Sequence, residues 1–223
     1  MDSFNKDLTE EQRLMKQSCR NFIDRVVAPF LREEWQREWN MDPAERLPDR
    51  ILKAADDISI RTLGVPEKYG GVELNPETEI RSFAIIAEEI ARGDSGLADK
   101  LVQNWKVAVL LRNLAAEHLQ KKWFTRLVEE HGLLFAHCLT EPKGASDRWL
   151  PYNVPEAAMD TIAQKIDGGW KINGRKQFIS NGFDAGLYVV YANTRPGSGM
   201  LEGTSSFLVP RETPGLEVVR CNE

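Results

Sequence analysis

The chain has 223 residues, 42% hydrophobic and 28% charged, which is enough apolar material for one core or two and excludes disorder as the default. A net charge of -5 leaves no broad cationic footprint of the kind a phosphate backbone requires, so nucleic acid is not an expected partner. Cys19, Cys138 and Cys221 are widely spaced with no CxxC pair, the first residues are acidic without an apolar h-region, and no apolar run nears the roughly 20 residues a bilayer demands; the expectation is a reduced, cytoplasmic protein with no disulfide framework, secretory leader or membrane span.

Helical signals dominate the first part. Thr9 with Gln12 three residues on reads as a capping box, and Met15, Cys19, Phe22, Val26 and Phe30 follow at three- and four-residue steps, predicting one amphipathic helix. Pro48 followed by Asp49 to Ile58 predicts a second, closed by the Gly- and Pro-rich segment 64–71. Asn75 and Pro76 read as an N-cap and first helical residue, with Ile80, Phe83, Ala84, Ala87 and Ile90 as one buried stripe ending at Gly93. Further helices are expected over Leu97 to Leu114 and Glu117 to Glu130, stopped by Gly132.

The hydrophobic period then changes, which divides the chain into a helical domain over 1–132 and a β-domain over 133–223. Strands are expected at 133–139, 161–166, 170–172, 176–180, 187–192, 206–209 and 216–219, separated by turn residues such as Asp167-Gly168-Gly169 and Asn173-Gly174. The absence of intervening helices predicts an antiparallel barrel or sandwich, and thus an α+β two-domain fold rather than a parallel dinucleotide-binding sheet. Gly197, Gly199 and Gly203 miss the dinucleotide spacing by one residue and read as a loop. His118, His131 and His137 have no metal-ligand spacing, so no metal is expected, and His118 and His131 read as solvated helix residues. Trp35 and Trp39, four apart, read as a packing face.

Several punctuated motifs, in order, resemble the acyl-CoA dehydrogenase family over essentially the whole chain. Residues 8–12 (LTEEQ), 63–71 (LGVPEKYGG) and 88–95 (EEIARGDS) are similar to the family's helical-domain landmarks. More specific are 139–147 (LTEPKGASD), which resembles Thr-Glu-Pro-x-Ala-Gly-Ser-Asp, and 174–182 (GRKQFISNG), which resembles Gly-x-Lys-x-Trp-Ile-Thr-Asn-Gly. The resemblance implies an FAD cofactor contacted by His137, Cys138, Leu139, Thr140, Ser146, Phe178, Ile179 and Ser180. Ser146 would lie near phosphate or the acyl-CoA thioester arm, and Ser180 within reach of flavin N5. Glu141, beside Pro142, reads as a structural acceptor rather than a base.

The implied reaction is α,β-desaturation of an acyl-CoA thioester, with an electron-transfer flavoprotein or similar acceptor as partner and a homo- or hetero-oligomer as the assembly. Flavin-dependent oxygenation, nitroalkane oxidation on the same scaffold, or a non-catalytic subunit of a heteromeric dehydrogenase are the alternatives. The family's catalytic base belongs to a C-terminal helical domain expected beyond Glu223, so no catalytic residue is assigned. Departures from the pattern are Ala145 in place of glycine, Phe178 in place of tryptophan with loss of the indole donor, and a long 148–160 connection bearing Trp149 and Tyr152.

Overall fold

A computed structural model describes residues 7–34, 49–144 and 154–221. The chain divides into two compact units, Met1–Leu133 and Leu134–Glu223.

The first unit is helical. Helix α1 (Glu10–Phe22) starts at the expected capping box: Thr9 Oγ1 accepts the Gln12 amide and Gln12 Oε1 accepts the Thr9 amide, both at 3.1 Å. It does not continue as one regular helix. Residues Ile23–Val27 form a π-turn that leads into α2 (Ala28–Glu33). Pro29 lacks the N–H that would bond residue 25 and its ring would strike that carbonyl, so a widened turn relieves the clash. The extra residue also rotates the buried face, bringing Ile23 and Val27 into the core with Phe22 and Phe30.

Helix α3 spans Asp49–Asp57, followed by a 3-10 turn at Ile60–Thr62 that buries Arg61. Its guanidinium donates to the Asp56 carboxylate, to Leu127 O at 2.8 Å and to Leu133 O at 2.9 Å. Helices α4 (Glu79–Gly93), α5 (Ser95–Leu114) and α6 (Glu117–Glu129) complete the unit among the described residues. Asn75 does not cap α4: its Oδ1 accepts the Glu77 amide at 2.9 Å in an Asx turn, and the helix begins after Thr78. The buried face is offset from the expected stripe: Ile80 is 76% exposed while Ser82, Ile85, Ile86, Glu89 and Ile90 are buried.

Ion pairs tie the helices where apolar contact stops. Glu89, buried, is gripped in a fork by Arg20 (3.0 and 2.6 Å) and approached by Lys16 at 3.3 Å. Glu79 receives the Arg112 guanidinium at 2.8 and 2.9 Å. Trp105 donates to Ile60 O at 2.5 Å and stacks on Phe83 with centroids 5.4 Å apart. His131 is exposed, as expected, but lies past the end of α6 rather than in a helix, and its two ring nitrogens sit 2.7 Å from Asp56 Oδ2 and 2.8 Å from Asp49 Oδ1.

The second unit holds β1 (Leu134–Cys138), β2 (Ile162–Ile166), β3 (Gly169–Asn173), β4 (Ala185–Asn193), a short helix α7 (Met200–Gly203) and β5 (Thr204–Pro210). Its sheet is mixed and open, a correction to the expected antiparallel barrel or sandwich. Followed through its hydrogen-bonded neighbours the order is β1-β4-β2-β3, and β5 also pairs β4; β1 and β4 run parallel, while β2–β3 and β4–β5 are antiparallel. The β2–β3 hairpin acts as the crossover that returns the chain in the direction of β1, a job usually given to a helix. Gly168 provides the turn with φ +80°, whereas Gly174 serves close approach: a Cβ there would lie 2.4 Å from Thr161 Oγ1. Segments 176–180 and 216–219, expected as strands, are irregular. Left-handed backbone at Phe178 and Asn181 prevents the first from extending.

Among the described residues no helix is long and apolar enough to cross a membrane, and no cluster of three or more His, Cys, Asp or Glu could hold a metal ion.

Candidate functional site

Two loops leave the sheet side by side. The first, residues 139–144, follows β1; the second, residues 174–184, joins β3 to β4. The Gln177 amide donates to Thr140 O at 3.0 Å and its side-chain amide to Glu141 O at 3.3 Å. The far end of the second loop is fastened by Asn181 Nδ2 on Phe135 O at 2.9 Å and by Tyr188 Oη on Gly182 O at 3.1 Å. Thr140 and Ser180 thus belong to loops pinned to one another and to the same sheet.

The first loop folds back on itself: Glu141 N and Gly144 O, and Gly144 N and Glu141 O, pair at 3.0 and 3.2 Å around Pro142 and Lys143. Below it, the Glu141 carboxylate, 1% exposed, takes Asp160 N at 2.7 Å, Thr161 N at 2.8 Å and Lys176 Nζ at 2.8 Å. Burial alone pushes this carboxyl up, but the hydrogen bonds from Lys176 and Thr161 outweigh it and hold the group below the ordinary carboxylate range. Glu141 is therefore a committed ion-pair partner, in line with its reading as a structural acceptor.

Phe178 stands out at the tip. Its φ is 54°, a conformation that costs a bulky residue about 1 to 2 kcal/mol, and its side chain is 71% exposed. Thr140 and Ser180 are half-buried, and neither hydroxyl makes a hydrogen bond among the described residues. The paired loops thus carry two hydroxyls without a partner among the described residues and an exposed aromatic ring, group types that can serve a planar heteroaromatic ligand.

The remaining candidates separate. Adjacent residues of a strand face opposite ways, and His137 and Cys138 do so here. His137 Nε2 lies 2.9 Å from Tyr191 Oη, with the two rings edge to face. Cys138 is buried on the other face with Ala136 and Tyr188, beneath Ile179, and burial pushes its thiol up to about 12. The two side chains cannot flank one ring from the same side. Leu139 is half-buried beside Thr140, and its carbonyl accepts Lys176 Nζ at 3.2 Å. Ser146, Ala145, Trp149 and Tyr152 lie outside the described residues, as do Trp35, Trp39 and Pro48.

Sequence reasoning missed Lys176, which it placed in a strand. The available signal was that Lys176 and Glu141 are both matched positions of the two resembled motifs; nothing local says that the two meet.

Comparison with known proteins fits this geometry. Residues 9–131 match the model of the acyl-CoA dehydrogenase N-terminal domain and residues 136–223 that of the acyl-CoA dehydrogenase middle domain. A cyclohex-1-ene-1-carbonyl-CoA dehydrogenase of Syntrophus aciditrophicus is 33% identical over 217 residues, covering 96% of this chain and 47% of its own. Among solved structures, butyryl-CoA dehydrogenase from Megasphaera elsdenii superposes with a TM-score of 0.72 at 26% identity, covering 94% of this chain and 50% of that one. The FAD complex of PigA does so with 0.76 at 26% identity over the same shares. The chain spans about half the length of the curated relatives it matches. With both domain models matched in order across nearly its whole length, this chain belongs to the acyl-CoA dehydrogenase family.

Proposed function

We propose that this chain provides the flavin-facing loops of an FAD-dependent acyl-CoA dehydrogenase acting by α,β-desaturation of an acyl-CoA thioester. The observation that carries the reading is the pairing of the 139–144 and 174–184 loops, which joins the stretch holding Thr140 to the one holding Ser180 and an exposed, left-handed Phe178. FAD, when bound, supplies the two-electron acceptor for the hydride that leaves the β-carbon. Phe178 covers the ring, Leu139 and Ile179 keep water from its edge, and the Thr140 and Ser180 hydroxyls donate to its heteroatoms. Such donors matter because they stabilise charge that accumulates on reduction. Ser146 is assigned to the phosphate or thioester arm.

No base is assigned to this chain. Glu141, Glu89 and Glu79, the buried carboxylates among the described residues, are all held by cations and cannot accept a proton from carbon without breaking an ion pair. The base belongs to a C-terminal helical domain, and the protein works as an oligomer that passes electrons to an electron-transfer flavoprotein or similar acceptor. The acyl group remains a class, an acyl-CoA, because the loops described here face the ring rather than the chain. The test is anaerobic: the chain is assembled with a polypeptide carrying the C-terminal helical domain, loaded with FAD and mixed with a series of acyl-CoAs. Loss of the visible flavin absorbance with one of them supports the reading. A colourless assembly contradicts it in favour of a non-catalytic subunit, and oxygen uptake without acyl-CoA turnover in favour of oxygenation.

A further inference from the structure

The contacts under the two loops converge from three stretches of chain that arrive separately. Glu141 comes from the end of β1, Asp160 and Thr161 from the entrance to β2, and Lys176 from the loop after β3. The Glu141 carboxylate accepts from all three, and Lys176 Nζ reaches back to Leu139 O. Both charged side chains are out of water, 0% and 11% exposed. A buried pair of this kind gains little net stability over apolar packing, but it is directional and tolerates few alternative arrangements. The loops it joins have no strand ladder between them; the backbone bond connecting them is Gln177 N to Thr140 O.

We infer that the Glu141–Lys176 pair is a positioning device, which sets the separation of the Thr140 and Ser180 hydroxyls from beneath and thereby controls flavin affinity without touching the ring. The inference rests on the flavin reading above. It differs from a plain stabilising role in what breaks when the pair is lost: the loops should loosen while the β1–β4–β5 ladder stays closed.

The experiment uses this chain assembled with a polypeptide carrying the C-terminal helical domain, with three substitutions, Lys176→Met, Glu141→Gln and Lys176→Arg, and reads amide hydrogen exchange without flavin and FAD affinity by fluorescence titration. Lys176→Met should speed exchange of the Gln177 amide at least tenfold, leave the Val189 and Val190 amides at wild-type protection, and raise the FAD Kd at least tenfold. Glu141→Gln keeps the size and an acceptor oxygen, and should move both readouts in the same direction by less. Lys176→Arg keeps the charge and should recover most of both. Unchanged exchange at Gln177 overturns the inference. So does equal loosening of loop and ladder, which marks a general stabiliser, or unchanged FAD affinity in a variant whose loop has loosened. Should the wild-type assembly bind no FAD, the flavin reading fails by itself, and the exchange arm still decides whether the pair sets the loops.

Discussion

Replacing Phe178 with asparagine separates what the residue does for the fold from what it does for a ligand. A phenylalanine carries on the order of 200 Å² of surface, so at 71% exposure about 140 Å² remains available and only about 60 Å² is buried. Losing that buried part costs about 1.5 kcal/mol at about 25 cal/mol per Å². Asparagine accepts left-handed backbone readily, so the φ of 54° ceases to cost about 1 kcal/mol. The two effects nearly cancel, and the unfolding free energy should change by less than about 1 kcal/mol. Ligand binding has no such compensation. If a flat ring covers roughly half of the available 140 Å², about 1.8 kcal/mol is lost, about twentyfold in Kd. FAD titration by fluorescence quenching, beside a urea melt of the same variant, measures both quantities. Unchanged FAD affinity would refute the argument, as would a large loss of stability, since either places the ring of Phe178 in the fold instead of on the ligand.

Arg61→Met removes a buried guanidinium from Asp56 and from the carbonyls of Leu127 and Leu133, and should lower the stability of the helical unit by about 3 to 5 kcal/mol in urea; a loss under about 1 kcal/mol would mean the network is idle. Glu89 should set part of the acid stability. Burial raises its pKa, but hydrogen bonds from Arg20 and Lys16 outweigh that and hold it below the ordinary 4.5. A depressed carboxyl contributes in full above its unfolded value and loses that contribution as pH falls through the folded one. Glu89→Gln should therefore destabilise at neutral pH and flatten the loss of stability below pH 4.5; a variant that parallels the wild type throughout would assign that loss elsewhere. Burial pushes the Cys19 and Cys138 thiols up to about 12, so native labelling at mildly alkaline pH should modify Cys221 alone and reach the other two only on unfolding. Rapid labelling of Cys138 in the folded chain would contradict its place under Ile179.

How much was legible beforehand depended on whether the signal was local. The capping box at Thr9 and the helices ending at Leu114 and near Glu130 were readable because their determinants lie within a few residues. The start of α4 was not, since Asn75 has two local uses, N-cap and Asx turn, and the choice falls to packing of Ser82 against Gln12, linked at 3.1 Å. The π-turn was signalled by Pro29, but a proline announces a disturbance without saying how the helix absorbs it. Five of the seven expected strand positions followed from the local pattern; strand direction did not, because a parallel β1–β4 pair and an antiparallel one show the same pattern on one chain. Phe178 and Ile179 have strand-like propensity, but left-handed backbone at Phe178 and Asn181, beside the Gln177 amide on Thr140 O and the Asn181 side chain on Phe135 O, makes that stretch a loop. The motif residues were visible by resemblance. The Lys176 clamp beneath them was not, because its two charges are far apart in sequence.

The central claim is that the Thr140 and Ser180 loops receive the flavin ring, and a crystal structure of the FAD-loaded protein tests it most directly. The account predicts the isoalloxazine against Phe178, with the Thr140 and Ser180 hydroxyls both within hydrogen-bond distance of its heteroatoms. A ring bound elsewhere, with both hydroxyls facing bulk water, would contradict it.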